Sequence, residues 1–348
     1  MGRRPVTPDR VHLLAHANPL APDVAHFGLE DVDVYVEFVR RHLPPPLRVT
    51  CSPAVLHAVE EPWKGGRIDD AARVRDLQQA LNDPRTLAIV ALSGGAYFSR
   101  ILPGLDLGVL ARRTTPLWAL GFSEMTSLVG WVASYPRGRG LYWLCPNWVG
   151  SRLRPPEAAR AVLAEFWRTL PDVLAGRVPR DASHLHFGPL SGELVAGRAA
   201  GGRVRLVGGC LSVLAALVGG RLGRRLRPDR KWLILEDLKE SPYLIDRHLA
   251  ALKLAGWFER LAGLVIGDFH MLHEDTQPAV LELLKYHLPP DRKVPVVRTR
   301  SFGHVWPMVP ILLNRPVPLT VRGRDVTIRA SGLRGEGAAG RPTGSAGD

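Results

Sequence analysis

Three short stretches of the sequence hold side chains suited to acyl transfer, although they stand far apart in the chain. In "LWALGFSEMTSLV", residues 117–129, an apolar run meets Gly121 and Ser123 just before a helix-like segment. A strand that stops abruptly at a serine offers its hydroxyl at the carboxyl end of the sheet, and a glycine two residues earlier leaves room for the incoming helix. The backbone N–H of Glu124, at the start of that helix, is then placed to stabilise a developing oxyanion. The full G-x-S-x-G pattern is absent, because Met125 stands at its last position, and a serine that merely caps the helix fits the same residues.

A nucleophilic serine needs a base, and the base needs a group to orient it. "KWLILED" ends an apolar strand at Glu236, where active-site groups tend to project; Asp237 and Glu240 compete for the role, and a carboxylate that caps the next loop is the plain alternative. "SFGHVWP" places His304 directly after a glycine, which lets a loop approach another part of the molecule closely. "HMLHED" sets His270 and His273 three residues apart beside Glu274, but no third ligand follows at a recognisable spacing. Surface histidines are therefore expected there, and neither a metal nor another cofactor.

The elements that must carry these residues follow from periodicity. "VHLLAHA", "LAIVALS" and "PLWALGF" read as buried strands, alternating with helices over "DVDVYVEFVRRHL" and "DDAARVRDLQQALND", and strand–helix alternation indicates a parallel sheet in an α/β fold. "PPEAARAVLAEFWRTLPDVLAG" reads as a connecting helix ending at Gly176. Strands over "GELVAGRA", "GRVRLVGG", "KWLILED" and "LAGLVIGDF" follow, with helices over "LSVLAALVGG" and "YLIDRHLAALKLAGWFERL" and a hairpin at "VPLTVRGRDVTIRA". The expected divisions are a first domain over 11–165, a linker over 166–185, a second domain over 186–330 and a Gly/Ala-rich disordered tail over 331–348.

The 348 residues are 46% hydrophobic, enough to bury a full core. The 46 Lys+Arg against 33 Asp+Glu give +13, spread along the chain with one dense stretch at Arg221–Lys231, read as a solvated basic loop or a patch attracting an anionic substrate. No nucleic-acid motif accompanies it, so nucleic acid is not an expected partner. Cys51, Cys145 and Cys210 make no disulfide framework. No signal-peptide core and no apolar run of about 18 residues is present. The expectation is a cytoplasmic protein without a membrane segment.

Taken together and in this order, the segments resemble the LD-carboxypeptidase (muropeptidase) family of serine peptidases, which includes the microcin C immunity peptidases. The resemblance runs from about residue 11 to 322. "LGFSEMTSL" resembles the family's nucleophile elbow, "LILEDLKESPYLIDRHLAALKLAG" its L-E-D-x-x-E block and "FGHVWPMVPILLN" its G-H loop, while "GGCLSVLAALVGG" resembles a Gly-Gly-Asn-Leu helix start. It implies a Rossmann-like parallel-sheet domain with a nucleophile elbow, followed by a smaller α/β domain of swivelling β/β/α type. It also implies a triad of Ser123, Glu236 and His304, with oxyanion donors from the Glu124 N–H and a backbone N–H at Gly95. The implied substrate is a murein tetrapeptide losing its terminal D-Ala, and the implied assembly is a homodimer.

Departures fall around the triad. The family loop R-G-G-Y-G-S is replaced by Ser93-Gly94-Gly95-Ala96-Tyr97-Phe98, which puts bulk into a wall of the site, and Cys210 takes the asparagine position. Gly94, Ala96, Tyr97, Phe98 and Cys210 are thus candidate pocket residues. Two other functions remain open: hydrolysis of a different amide, such as an aminoacyl-nucleotide, and peptide or muropeptide binding without cleavage.

Overall fold

The computed structural model describes residues 6–58, 62–153, 155–271, 274–291 and 293–334. Two α/β units follow each other. In the first, Arg48–Thr50, Arg10–Leu14, Thr86–Ala91, Leu117–Gly121 and Gly138–Tyr142 lie parallel in that spatial order, and Ile311–Leu313 pairs antiparallel on the far edge. The middle strands are mostly apolar and almost wholly buried, as a parallel sheet covered by helices requires. Helix Val32–His42 shows why such helices stop and start where they do. Asp31 caps its first turn by accepting the Val34 N–H at 2.8 Å, and Arg40, Arg41 and His42 sit at its negative end.

The chain reverses its direction of strand addition between Arg10–Leu14 and Thr86–Ala91, so the loops that follow these two strands part at the carboxyl edge of the sheet. That crevice is where open parallel sheets receive ligands. The loops are laced together there: the Ala96 N–H donates to the Ala17 carbonyl, and Arg73 donates to the carbonyls of both His16 and Tyr97.

The second unit is a closed mixed barrel. Around the ring run Gly263–Met271, Val296–Thr299, Leu190–Ala196, Asp325–Ile328, Pro316–Arg322, Gly202–Cys210 and Trp232–Leu238, and the last pairs back with the first. Helices Leu211–Leu217, Pro242–Leu254 and Gln277–His287 flank it. Gly209, at the end of one barrel strand, touches the first unit closely. A Cβ there would lie 2.7 Å from both Thr126 Oγ1 and Tyr142 Cε2, and only glycine permits this approach.

Several expectations change. Helix Pro156–Leu174 runs through residue 165, where the first domain is set to end, because its buried face of Val162, Phe166, Trp167 and Leu170 continues the apolar stripe without a break. Ile311–Leu313 returns from the second unit to the first sheet. The helix expected to reach Leu261 ends at Leu254, since Gly256 adopts φ +73 and closes it. Ser331–Arg334, assigned to the tail, are ordered: Arg334 exchanges backbone bonds with Gly176 and Val178 at 2.9 and 3.1 Å. Residues 335–348 of that tail lie outside the described residues. The basic stretch forms a short helix over Arg221–Leu226, with the Arg225 guanidinium 3.7 Å above the Tyr135 ring and its Nε donating to Ser134, so part of it joins the two units. Among the described residues, no helix is long and apolar enough to cross a membrane.

Candidate active site

The strand Leu117–Gly121 ends in a sharp turn. Phe122 is extended, Ser123 sits at φ +58, and a short 3₁₀ turn over Ser123–Met125 leads into helix Thr126–Ala133. A serine in the left-handed region carries strain of about 1–3 kcal/mol, held in place only by its surroundings. Gly121, at φ +153, makes the turn possible: a Cβ there would stand 3.0 Å from the Cβ atoms of both Ala91 and Met125. Met125 therefore fills the space beside Gly121, and a second glycine is not needed. Ser123 makes no capping bond. Its carbonyl instead accepts from Thr126 Oγ1 at 2.6 Å, and Thr126 Oγ1 in turn accepts the Cys210 N–H at 3.0 Å.

The hydroxyl faces His304. Ser123 Oγ lies 3.2 Å from His304 Nε2, and His304 Nδ1 lies 2.7 Å from Glu236 Oε2. Three segments far apart in the chain, with Glu236 68 residues and Ser123 181 residues from His304, thus form one hydrogen-bonded relay across the junction of the two units. Gly303, at φ +114, allows the approach, because a Cβ there would fall 3.1 Å from Glu236 Cβ. Phe122 packs against the imidazole with ring centres 4.9 Å apart, and Trp148 stands 6.4 Å from it on another side.

Glu236 is fully buried, and its second oxygen accepts the Tyr142 hydroxyl at 2.5 Å. Burial, and then the adjacent Glu236 charge, push the Tyr142 phenol well above its ordinary pKa, so it remains a donor. The same phenolic oxygen accepts the Ser123 N–H at 3.2 Å. At His304, burial works against the charged ring, but the Glu236 carboxylate, its hydrogen bond and Asp237 outweigh it and raise the pKa above the usual histidine value.

The competing carboxylates point elsewhere. Asp237 accepts the Ser212 N–H at 2.7 Å and the Leu238 N–H at 2.9 Å, and burial followed by the Glu236 charge lifts it to about 6. The Glu240 charge acts on His248, where burial outweighs it and lowers the imidazole pKa. His270 lies in strand Gly263–Met271, while His273 is outside the described residues; among the described residues no group of three or more His, Cys, Asp or Glu can hold a metal.

Gly94 lies directly against the hydroxyl, since a Cβ on it would come within 3.1 Å of Ser123 Cβ and 3.3 Å of Oγ. Gly95, at φ +136, abuts Asn18, and Tyr97, at φ +67, is an exposed ring with Arg100 above it. Phe98 departs from its expected place in the pocket wall. It is fully buried and packs against His16, in keeping with an apolar ring that the core can take up. Cys210 is also buried, and burial followed by the neighbouring carboxylates keeps it a thiol that bonds Asp237 and Ser212. The Glu124 side chain accepts from the Ser99 N–H and hydroxyl, and burial raises its pKa against those bonds. Tyr142, Thr126 and Trp148 carry no local signal of a role in the sequence, because their contacts in the site come from segments distant in the chain.

The chain as a whole has counterparts among known proteins. Residues 13–137 match the LD-carboxypeptidase N-terminal domain, and residues 203–319 match the LD-carboxypeptidase C-terminal domain. A putative carboxypeptidase of Streptomyces coelicolor is 30% identical over 247 residues, spanning 68% of this chain and 69% of that protein. A murein tetrapeptide carboxypeptidase of Pseudomonas aeruginosa is 28% identical over 270 residues, spanning 75% and 76%. The solved structure of an MccF-like protein from Streptococcus pneumoniae in complex with AMP has the same fold, with a TM-score of 0.65 at 18% identity over 92% of this chain and 99% of that one. Both halves of the chain, in the same order and over most of their length, place it in the LD-carboxypeptidase family of peptidases.

Proposed function

We propose that the chain is a serine-type LD-carboxypeptidase that releases the terminal D-Ala of a murein tetrapeptide, with Ser123 as nucleophile, His304 as general base and acid, and Glu236 as the group that orients the imidazole. One observation carries this reading: the unbroken relay from Ser123 Oγ through both ring nitrogens of His304 to Glu236, at 3.2 and 2.7 Å. Such contacts are within or close to the reach needed for proton transfer before substrate tightens them. His304 takes the hydroxyl proton as Ser123 Oγ attacks the scissile carbonyl carbon. The Glu124 N–H, at the start of the helical turn, and a backbone N–H at Gly95 stabilise the oxyanion. Collapse breaks the C–N bond, the amine leaves with the proton from His304, and water then attacks the acyl-serine with His304 again as base. Gly94 keeps the approach to the hydroxyl open.

The substrate assignment is supported by the relatives named murein tetrapeptide carboxypeptidase and probable murein peptide carboxypeptidase. It is tested by offering the protein, in separate reactions, a murein tetrapeptide and an aminoacyl sulfamoyl adenosine, and following free D-Ala and free amino acid by mass spectrometry. Release of D-Ala alone supports the reading. Cleavage of the nucleoside conjugate alone assigns the chain to the other amide chemistry, and binding of the tetrapeptide without cleavage assigns it a binding role.

A further inference from the structure

A carboxypeptidase must tell a peptide's free end from its interior, and the distinguishing group is the terminal carboxylate. A cation near the nucleophile is the economical way to read it. Arg73 is buried and pairs with Asp70, and Arg100 pairs with the same Asp70. These two positive charges, which lie near the 93–100 loop, already face an acid. Arg152 differs. It is exposed, it meets no carboxylate among the described residues, and its guanidinium lies 4.8 Å above the Trp148 ring. That ring stands beside His304, and the Arg152 charge acts on the imidazole as a minor opposition to the rise in its pKa.

The platform under Arg152 is fixed. The Asn147 N–H donates to the Leu92 carbonyl at 2.9 Å, which ties the turn to the strand that enters the Gly94 loop. The Asn147 side chain is held by the Tyr35 hydroxyl at 2.5 Å and itself donates to Asp23 at 3.3 Å. The Arg152 N–H donates to the Val149 carbonyl at 2.9 Å. Stacking on an indole orients a guanidinium while leaving its N–H fork free for an anion.

From this arrangement we infer that Arg152, stacked on Trp148, is the recognition site for the C-terminal carboxylate of the peptide substrate. The inference rests on the carboxypeptidase reading, so its test measures binding with turnover removed. A murein tetrapeptide ending in D-Ala and the same peptide as its C-terminal carboxamide are titrated calorimetrically into Ser123→Ala and into Ser123→Ala/Arg152→Gln. A charge-assisted bond to a carboxylate predicts that the acid binds Ser123→Ala at least roughly tenfold more tightly than the amide, and that this preference disappears in the double variant. Equal binding of acid and amide to Ser123→Ala, including no binding of either, overturns the inference, as does a preference that survives Arg152→Gln. Failure of the hydrolytic reading has a separate signature: Ser123→Ala shows the preference for the acid, yet the unsubstituted protein releases no D-Ala.

Discussion

Changing Tyr142 to phenylalanine removes a single oxygen from the centre of the relay. The ring is fully buried, so the isosteric change opens little space and the effect isolates the hydroxyl. That hydroxyl makes a 2.5 Å bond to the Glu236 carboxylate and accepts the Ser123 N–H at 3.2 Å. The first is a bond to a charged group worth about 1.5–3 kcal/mol and the second a neutral bond worth about 0.5–1.5 kcal/mol, so the variant should lose roughly 2–4.5 kcal/mol of stability. Loss of the first bond also loosens the carboxylate that orients His304. If that bond's worth is expressed in the transition state, kcat/KM falls roughly 10- to 150-fold. Urea unfolding and D-Ala release are the two assays, and a double-mutant cycle with Glu236→Gln extracts the coupling. A variant within twofold of the parent in kcat/KM and less than about 0.5 kcal/mol less stable would refute the bridging role, because such values belong to an uncoupled surface change.

Three further outcomes follow from the same geometry. Because His304 must be neutral to accept the Ser123 proton and its pKa is raised, kcat/KM should climb with pH about a midpoint above the ordinary histidine value of about 6.5; in Glu236→Gln, where burial outweighs the remaining Asp237 charge, any residual activity should titrate below it. The same shift contributes stability that is fully present below the unfolded histidine pKa and is lost as pH rises through the folded one. Gly94→Ala should cut kcat/KM by about tenfold or more with little change in urea midpoint, since its Cβ meets Ser123 Oγ at 3.3 Å and displaces either the hydroxyl or the substrate. Glu165 accepts the Ser183, His184 and Leu185 N–H groups and holds the connector to the long helix; burial opposes the charge, but these bonds lower its pKa to about 2. Its stabilisation is therefore present above the unfolded carboxyl value and lost as pH falls towards about 2, and Glu165→Gln should cost about 2 kcal/mol or more at neutral pH by chemical unfolding.

The parallel sheet was legible because buried strands such as "LAIVALS" and "PLWALGF" are apolar on both faces and alternate with amphipathic helices. Ser123, Glu236 and His304 were legible only jointly. Each fits a cap, a loop carboxylate or a surface histidine when taken alone, and their family-like order selects the relay. What escaped has a common physical cause, since long-range pairing leaves no local periodicity. Ile311–Leu313 is too short to show alternation, and its place beside Gly138–Tyr142 is set by where the barrel delivers the chain. Tyr142 carries no motif of its own, and its role depends on Glu236 arriving from the other unit. Phe98 shows the opposite error: a bulky residue beside a glycine loop suggests a pocket wall, but the core beside His16 takes it up.

The central claim is that the Ser123 hydroxyl attacks the peptide carbonyl. The most direct measurement is D-Ala release from a murein tetrapeptide by the unsubstituted protein and by Ser123→Ala at matched concentration and pH. The account predicts that turnover falls by a factor on the order of 10³ or more when that single oxygen is removed. Turnover of the tetrapeptide by Ser123→Ala at the rate of the unsubstituted protein would contradict it.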